Sequence, residues 1–335
     1  MRTSAALAFL LATPAAAQEV VGLDAATAAP AVEAAAAPPT REAIEAATFV
    51  QGELPEDPSA LTFKVQMLLD HTGVSPGVID DVAGGMSETA LKAFEEARGL
   101  PVDRLLDFEA WAALGGPLAG PALRDYVITA QSLANIVPLL PADYAELAEL
   151  DRLGYTRASE MPAERFHMDE DTLLALNPGA SFAEGETVVV ADPGGLLQGE
   201  VARIEVRKGR GRLVAYDARG AMIANHPVTV GSTSNPSPEG IVEVVAVANL
   251  PTYHYSPENF VQGENTEPLT LPPGPNGLVG SMWVDLSKPS YGLHGTPEPS
   301  VLFQRNSHDC VRLANWDAEE LAGLVREGTM VEFVE

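Results

Sequence analysis

Tyr291-Gly292-Leu293-His294-Gly295-Thr296 and Ser307-His308-Asp309-Cys310-Val311-Arg312-Leu313 are the two segments on which the reading of this chain turns. They lie close in sequence, and the loop between them carries Pro297 and Pro299, so the two can pair across a small sheet. Together they supply a thiol, two imidazoles, a guanidinium and backbone that glycine leaves free to adopt unusual angles. A thiol becomes a strong nucleophile when a base raises its thiolate fraction, and histidine is the side chain suited to that near neutral pH. Backbone amides around the cysteine can cradle an oxyanion, and Arg312 can hold a carboxylate through paired hydrogen bonds.

Upstream, the pattern around these segments is that of a β domain. Val201, Ile204 and Val206 precede a Gly209-Arg210-Gly211 turn, Leu213, Val214 and Tyr216 follow it, and Asp217 to Gly220 turns the chain into Met222 to Val230. Closely spaced short strands with turn signals predict an antiparallel or mixed β sandwich. Pro272 to Gly277 ends a long loop, Tyr253 to Gly277, that is a candidate lid, and leads into Met282-Trp283-Val284-Asp285-Leu286. After the cysteine, Asn315, Asp317, Glu319 and Glu320 place caps and negative charge at a helix start. Leu321, Leu324 and Val325 give that helix an apolar face, and Gly328 ends it.

Towards the N-terminus the period changes. Phe63, Val65, Leu68 and Leu69 recur at helical spacing, a turn-rich stretch runs from Gly73 to Gly85, and Ala90, Leu91 and Phe94 mark a second helix closed by Gly99. Leu106 and Trp111 suggest a third. The region 126–193 is acidic and poor in aromatic residues, and 18–58 is rich in Ala, Pro and Glu. That composition predicts a flexible tether, with a short helix around Arg41 to Ala47. Arg2, the apolar run Ala5 to Ala12 and Ala15-Ala16-Ala17 have the form of a signal peptide, residues 1–17, cut before Gln18. Export then leaves a soluble protein with no membrane span, located in the periplasm. The chain carries 47 acidic and 20 basic residues, a formal charge of -27, which argues against nucleic acid as a partner. Its one cysteine can form no disulfide within the chain, so in an oxidising compartment it is either a buried bystander or a working nucleophile.

The stretch 200–335 resembles the catalytic domain of the L,D-transpeptidases, also called the YkuD domain. The likeness rests on His294-Gly295, on Ser307-His308-Asp309-Cys310-Val311-Arg312, and on Gly231 through Pro238-Glu239-Gly240-Ile241. Residues 59–116 resemble the three-helix peptidoglycan-binding domain, with Asp80-Asp81 in place of its usual Asp-Gly turn. The end of 126–193, from Asp171 through Asn177-Pro178-Gly179 to Val190, resembles the second half of a LysM module, whose first half is hard to find. The fold class implied is a multidomain α+β chain: a helical wall-binding domain, a LysM-like linker or spacer, and a C-terminal mainly-β catalytic sandwich.

The resemblance assigns roles residue by residue. Cys310 would be the nucleophile, His294 its base, and the Gly295 carbonyl the group that orients the imidazole. Ser307, His308 and Asp309 would shape the pocket and oxyanion hole, and Arg312 and Tyr291 would contact substrate. The partners implied are peptidoglycan stem peptides, with an amine of a second stem or an outer-membrane protein as acceptor. No cofactor is implied. His254, His294, His308, Asp309 and Cys310 lack the paired spacings of zinc sites. Asp309 stands where the family has glycine. Three readings therefore remain open: transpeptidase, carboxypeptidase or cross-link hydrolase on the same fold, and catalytically weak wall-binding protein.

Overall fold

The computed structural model describes residues 38–231, 240–258, 261–303 and 310–335. The expected signal peptide and the first part of the expected tether lie outside them. The second part of that tether is folded. Helix α1 (Arg41–Ala46) starts at Thr40, whose hydroxyl accepts from the Ala43 amide, and its Ile44 is fully buried. One large apolar side chain and one bridging carboxylate are enough to dock it: Glu45 accepts from the Ala122 and Leu123 amides at 3.1 and 3.0 Å.

Three helices follow as the periodicity predicts: α2 (Ala60–His71), α3 (Gly85–Arg98) and α4 (Phe108–Ala113). Gly99 ends α3 with φ +68, the left-handed cap that glycine takes without strain. Gln66 organises the α2–α3 turn. Its Oε1 accepts from the Asp80 and Asp81 amides, while Nε2 donates to Asp80, Val82 and Ser87.

The middle region begins with β1 (Leu123–Val127) and α5 (Ala130–Leu133), then α6 (Tyr144–Ala148), α7 (Glu160–Arg165), α8 (Glu170–Leu176) and β2 (Thr187–Ala191). Strand β1 pairs antiparallel with β2 from Leu123↔Ala191 to Val127↔Thr187. The region thus has two halves, β1 with α5 and α7 with α8 and β2, separated by a segment carrying α6. Asn177 ties the halves together: its Nδ2 donates to the Leu173 and Val189 carbonyls and its Oδ1 accepts from the Val189 amide. The helical domain and the middle module share one core, in which Ile44, Phe63, Leu69 and Phe94 pack with Leu173, Val188 and Val190.

The C-terminal region contains β3 (Arg203–Arg207), β4 (Arg212–Tyr216), β5 (Met222–Pro227), β6 (Gly240–Asn249), β7 (Tyr253–Tyr255), β8 (Leu269–Leu271), β9 (Met282–Leu286), β10 (Gly292–His294), β11 (Val311–Arg312), α9 (Asn315–Leu324) and β12 (Met330–Val334). Among the described residues these strands form one eight-stranded mixed sheet, ordered β11-β10-β9-β6-β12-β3-β4-β5, and the separate hairpin β7–β8. The expected mainly-β sandwich is built from a single sheet curled on itself. Strand β6 makes the corner, pairing with β12 through its first half and with β9 through its second, with a bulge between Val244 and Ala246. The two ends then meet: Thr229, just past β5, exchanges backbone hydrogen bonds of 3.0 and 2.9 Å with Arg312 of β11. The core inside is common to both ends, with Ile204 and Leu213 packed alongside Leu293, Val311 and Leu321.

The loop at Gly73–Ser75 covers the β5 edge, with Asn225 bonded to the Gly73 carbonyl and Ser75 to that of Asn225. Beneath it lies a buried polar cluster. His226 Nδ1 stands 3.1 Å from Asp317 Oδ1, and Ser75 donates to the other Asp317 oxygen. Arg212 binds Asn225 and the Ser75 carbonyl. All five side chains are almost wholly enclosed. Asp317→Ala leaves a buried His and Arg without their anion, so urea denaturation is expected to show a loss of about 3–5 kcal/mol.

Asp81 occupies the position where the related domain has glycine, with φ +59. Burial first, then the neighbouring Asp80 and Asp169, push its carboxyl pKa from 3.8 up to about 7. The folded chain thus keeps a proton that the unfolded chain releases. Asp81 costs little stability below pH 4 and progressively more as pH rises towards 7. Asp81→Asn keeps a side chain suited to that backbone and removes the charge. It is expected to stabilise by about 1–2 kcal/mol at pH 8 and scarcely at pH 4, as read by denaturation at the two pH values.

Candidate functional site

Strands β10 and β11 run parallel, with Leu293 level with Val311 and His294 level with Arg312. Strand alternation then sets Leu293 and Val311 into the core. Gly292, His294, Cys310 and Arg312 share the other face. On the far side β9 pairs antiparallel with β10, Trp283 opposite His294 and Asp285 opposite Gly292. Trp283 stacks on the imidazole, with ring centroids 5.6 Å apart and 16° between planes. Gly292 is required here, because a Cβ would lie 2.5 Å from the Trp283 ring.

His294 is 4% exposed and its Nδ1 lies 2.6 Å from the Gly295 carbonyl oxygen. A carbonyl only accepts, so Nδ1 carries the proton and Nε2 keeps the lone pair of a base. Burial pulls the imidazole pKa from 6.5 down to about 4. The Gly295 hydrogen bond opposes that shift, and the nearby Arg312 cation adds to it. The ring is therefore neutral at physiological pH. Cys310 is 8% exposed, and its Sγ stands 4.0 Å from the carbonyl of Ser290, a residue held at φ +60.

The Arg312 backbone forms the seam with Thr229, and its charge reaches both His294 and Tyr144 of α6, whose phenol it helps to ionise against a larger effect of burial. Tyr291 differs from its expected place among substrate contacts. It is 3% exposed, part of the sheet core, with its ring edge-on to Phe333 and beneath the Lys288 ammonium. The alternation that points His294 and Cys310 out of the core points Tyr291 into it. Ser307, His308 and Asp309 lie outside the described residues, as does 232–239 of the upstream loop. His254 sits on the β7–β8 hairpin, its ring against Thr270.

The candidate lid is that hairpin, and it is docked on the middle module. Tyr255 and Leu271 pack with Leu147 and Leu153, and Tyr144 meets Tyr255 edge-on at 5.3 Å. Asn265 donates to Asp143, and Gln262 accepts from the Tyr144 amide and donates to the Ala142 carbonyl. Beside this contact a cavity of about 500 Å³ opens between α7, α8 and the segment 297–301, walled by Glu160, Glu164, Asp169, Glu298 and Trp316. Neither Cys310 nor His294 lines it.

Sequence reasoning did not single out Trp283 or Thr229 as parts of the site, and it read Asn315 as a helix start alone. For Trp283 the signal was present: strict alternation in Met282–Leu286 sets Trp283 and Asp285 on one face of a strand.

A thiol flanking one short strand and a neutral imidazole of fixed tautomer on its parallel neighbour make a site suited to acyl transfer. Residues 201–333 match the family described as the L,D-transpeptidase catalytic domain, and residues 61–114 the one described as "Putative peptidoglycan binding domain". The chain is 28% identical over 176 residues to "Putative L,D-transpeptidase YkuD" of Bacillus licheniformis, a match covering 51% of this chain and 90% of that protein. To the Bacillus subtilis protein of the same name it is 44% identical, over 57 residues that make up 17% of this chain and 35% of that one. Among solved structures it resembles L,D-transpeptidase 3 from Mycobacterium tuberculosis, at 15% identity and a TM-score of 0.33, over 45% of this chain and 65% of the other. Residues 201–333 thus form a domain of the L,D-transpeptidase catalytic type, and a domain of the peptidoglycan-binding type precedes it. Both domains direct it to one polymer, peptidoglycan.

With His294 neutral, no imidazolium stands ready to hold a thiolate. Alkylation of Cys310 by iodoacetamide, followed by intact mass, is expected to rise only toward alkaline pH. A plateau of full reactivity from pH 5 to 7 would show a preformed ion pair instead.

Proposed function

We propose that Cys310 is the nucleophile of a peptidoglycan L,D-transpeptidation in which His294 moves the protons. The observation that carries the reading is the His294 Nδ1 to Gly295 hydrogen bond of 2.6 Å on the strand parallel to the one the cysteine leads into. The Cys310 proton passes to His294 Nε2 as Sγ attacks the carbonyl of a stem tetrapeptide. The C–N bond to the terminal D-alanine breaks, the leaving amine takes the proton from His294, and a thioester remains. An acceptor amine then attacks the thioester and gives its proton to His294, the C–S bond breaks, and the thiolate recovers that proton. Backbone amides around Asp309 and Cys310 hold the oxyanion, and Arg312 binds the stem.

The acceptor is an amine of a second stem or of an outer-membrane protein. Both reactions belong outside the cytoplasm, so the protein acts in the periplasm after removal of residues 1–17. Protein recovered from a periplasmic extract is expected to begin at Gln18 on N-terminal sequencing.

The test is incubation with tetrapeptide muropeptides or with a carbapenem, reading the protein by intact mass and the products by chromatography. The wild type is expected to form a covalent adduct and a cross-linked dimer, and Cys310→Ala neither. Trimmed monomers alone would make it a hydrolase. Retention on sacculi without any adduct would leave a wall-binding protein.

A further inference from the structure

The carbonyl that orients His294 belongs to Gly295, and that peptide has little freedom. Its amide donates to the Met282 carbonyl at 3.2 Å, and its Cα faces the side-chain amide of Asn315 at the start of α9. A Cβ built on Gly295 would come within 2.1 Å of Asn315 Oδ1. One on Gly280, whose φ is +62, would lie 2.0 Å from the same oxygen and 2.8 Å from the Gly295 Cα. Gly280, Gly295 and Asn315 are thus stacked with no room for adjustment, and a displacement of the Asn315 amide is passed to the Gly295 peptide.

Asn315 is itself completely buried and held at both ends of its amide. Its Oδ1 accepts from the Ser281 amide at 3.1 Å, and its Nδ2 donates to the Pro275 carbonyl at 3.0 Å and to Glu164 Oε2 at 2.7 Å. Two of these partners are backbone groups of the segment between the hairpin and β9. The third, Glu164, comes from α7 of the middle module, and its other oxygen accepts from the Tyr155 hydroxyl at 2.7 Å. This donor set makes the Glu164 bond the shortest of those that fix the Asn315 amide.

We infer that Glu164, acting through Asn315, positions the Gly295 carbonyl and hence the His294 imidazole, so that the middle module supplies a positioning residue to the catalytic pair. The inference rests on the reading of His294 as the base for Cys310. Burial, with Glu319 and Glu160 adding to it against the bonds from Tyr155 and Asn315, raises the Glu164 carboxyl pKa to about 7. Glutamine is therefore a fair stand-in for the protonated form: its carbonyl can accept from Asn315 while its amide turns to the Tyr155 oxygen.

The experiment measures, on the full chain, the rate at which a carbapenem acylates Cys310 and the rate at which iodoacetamide alkylates it. The second reaction needs an accessible thiol but no oriented base. Glu164→Ala and Asn315→Ala are expected to slow acylation by about tenfold or more while alkylation stays at the wild-type rate. Glu164→Gln is expected to restore acylation. Asn177→Ala, which loosens the same module away from this chain of contacts, is expected to lower the melting temperature without changing either rate. Wild-type acylation in Glu164→Ala would overturn the inference, as would parallel losses in Asn177→Ala, which would reduce Glu164 to a general brace. If His294→Ala acylates as fast as wild type, the fault lies with the assignment of the base.

Discussion

A thiol and an imidazole that come from different strands must be level with each other on the same face, and here a parallel pairing of two very short strands meets that requirement. Parallel neighbours cannot be joined by a tight turn, so the chain leaves the sheet after His294 and returns at Cys310. A strand as short as Val311–Arg312 has little hold of its own. It is fixed because it is bonded on both sides, to β10 along one edge and to Thr229 across the seam along the other. Curling of the sheet therefore does more than enclose a core: it turns what would be the most exposed edge into a clamped position beside Cys310. The bulge in β6 that bends the sheet and the helix α9 that fills it serve the same placement.

Burial completes the chemistry. An imidazole shielded by Trp283 and bonded to a carbonyl is a poor place for a positive charge, and the Arg312 cation makes it poorer. The imidazole therefore rests uncharged. The modules around the catalytic region share in this construction. The helical domain seals the β5 edge, and the middle module holds the β7–β8 hairpin through Asp143, Gln262 and Asn265. An arrangement of independent domains on linkers would leave both contacts to chance.

Much of this was legible in the sequence. The α2, α3 and α4 helices follow from apolar spacing and from Gly99, whose cap geometry is local. The pairing of His294 with Gly295 and the place of Cys310 beside it were implied by the resemblance to the L,D-transpeptidase motif rather than by periodicity. What stayed hidden depends on contacts distant in sequence. Strand β1 reads as nothing particular until β2 lies beside it, and the segment bearing α6 separates the two halves beyond the reach of pattern. Ile44 looks like one apolar residue in a polar tether, and its burial depends on a pocket built by α2. The curl could not be read either, since the same alternating strands serve a sandwich or a closed sheet. Tyr291 was misplaced by its nearness to the motif, although counting outward from His294 sets it on the core face.

Strand β12 follows every other strand of the large sheet in the chain, yet it lies between β6 and β3, antiparallel to β6 and parallel to β3. A polypeptide emerging from its N-terminal end therefore cannot complete the centre of the sheet until Met330–Val334 has appeared. Until then Ile204 and Val206 on one half and Val244 on the other have no partner strand between them, and closure waits on contacts of very long sequence separation, which form slowly. The order of strands thus acts as a timer on folding, set by where in the sequence the central strand is encoded.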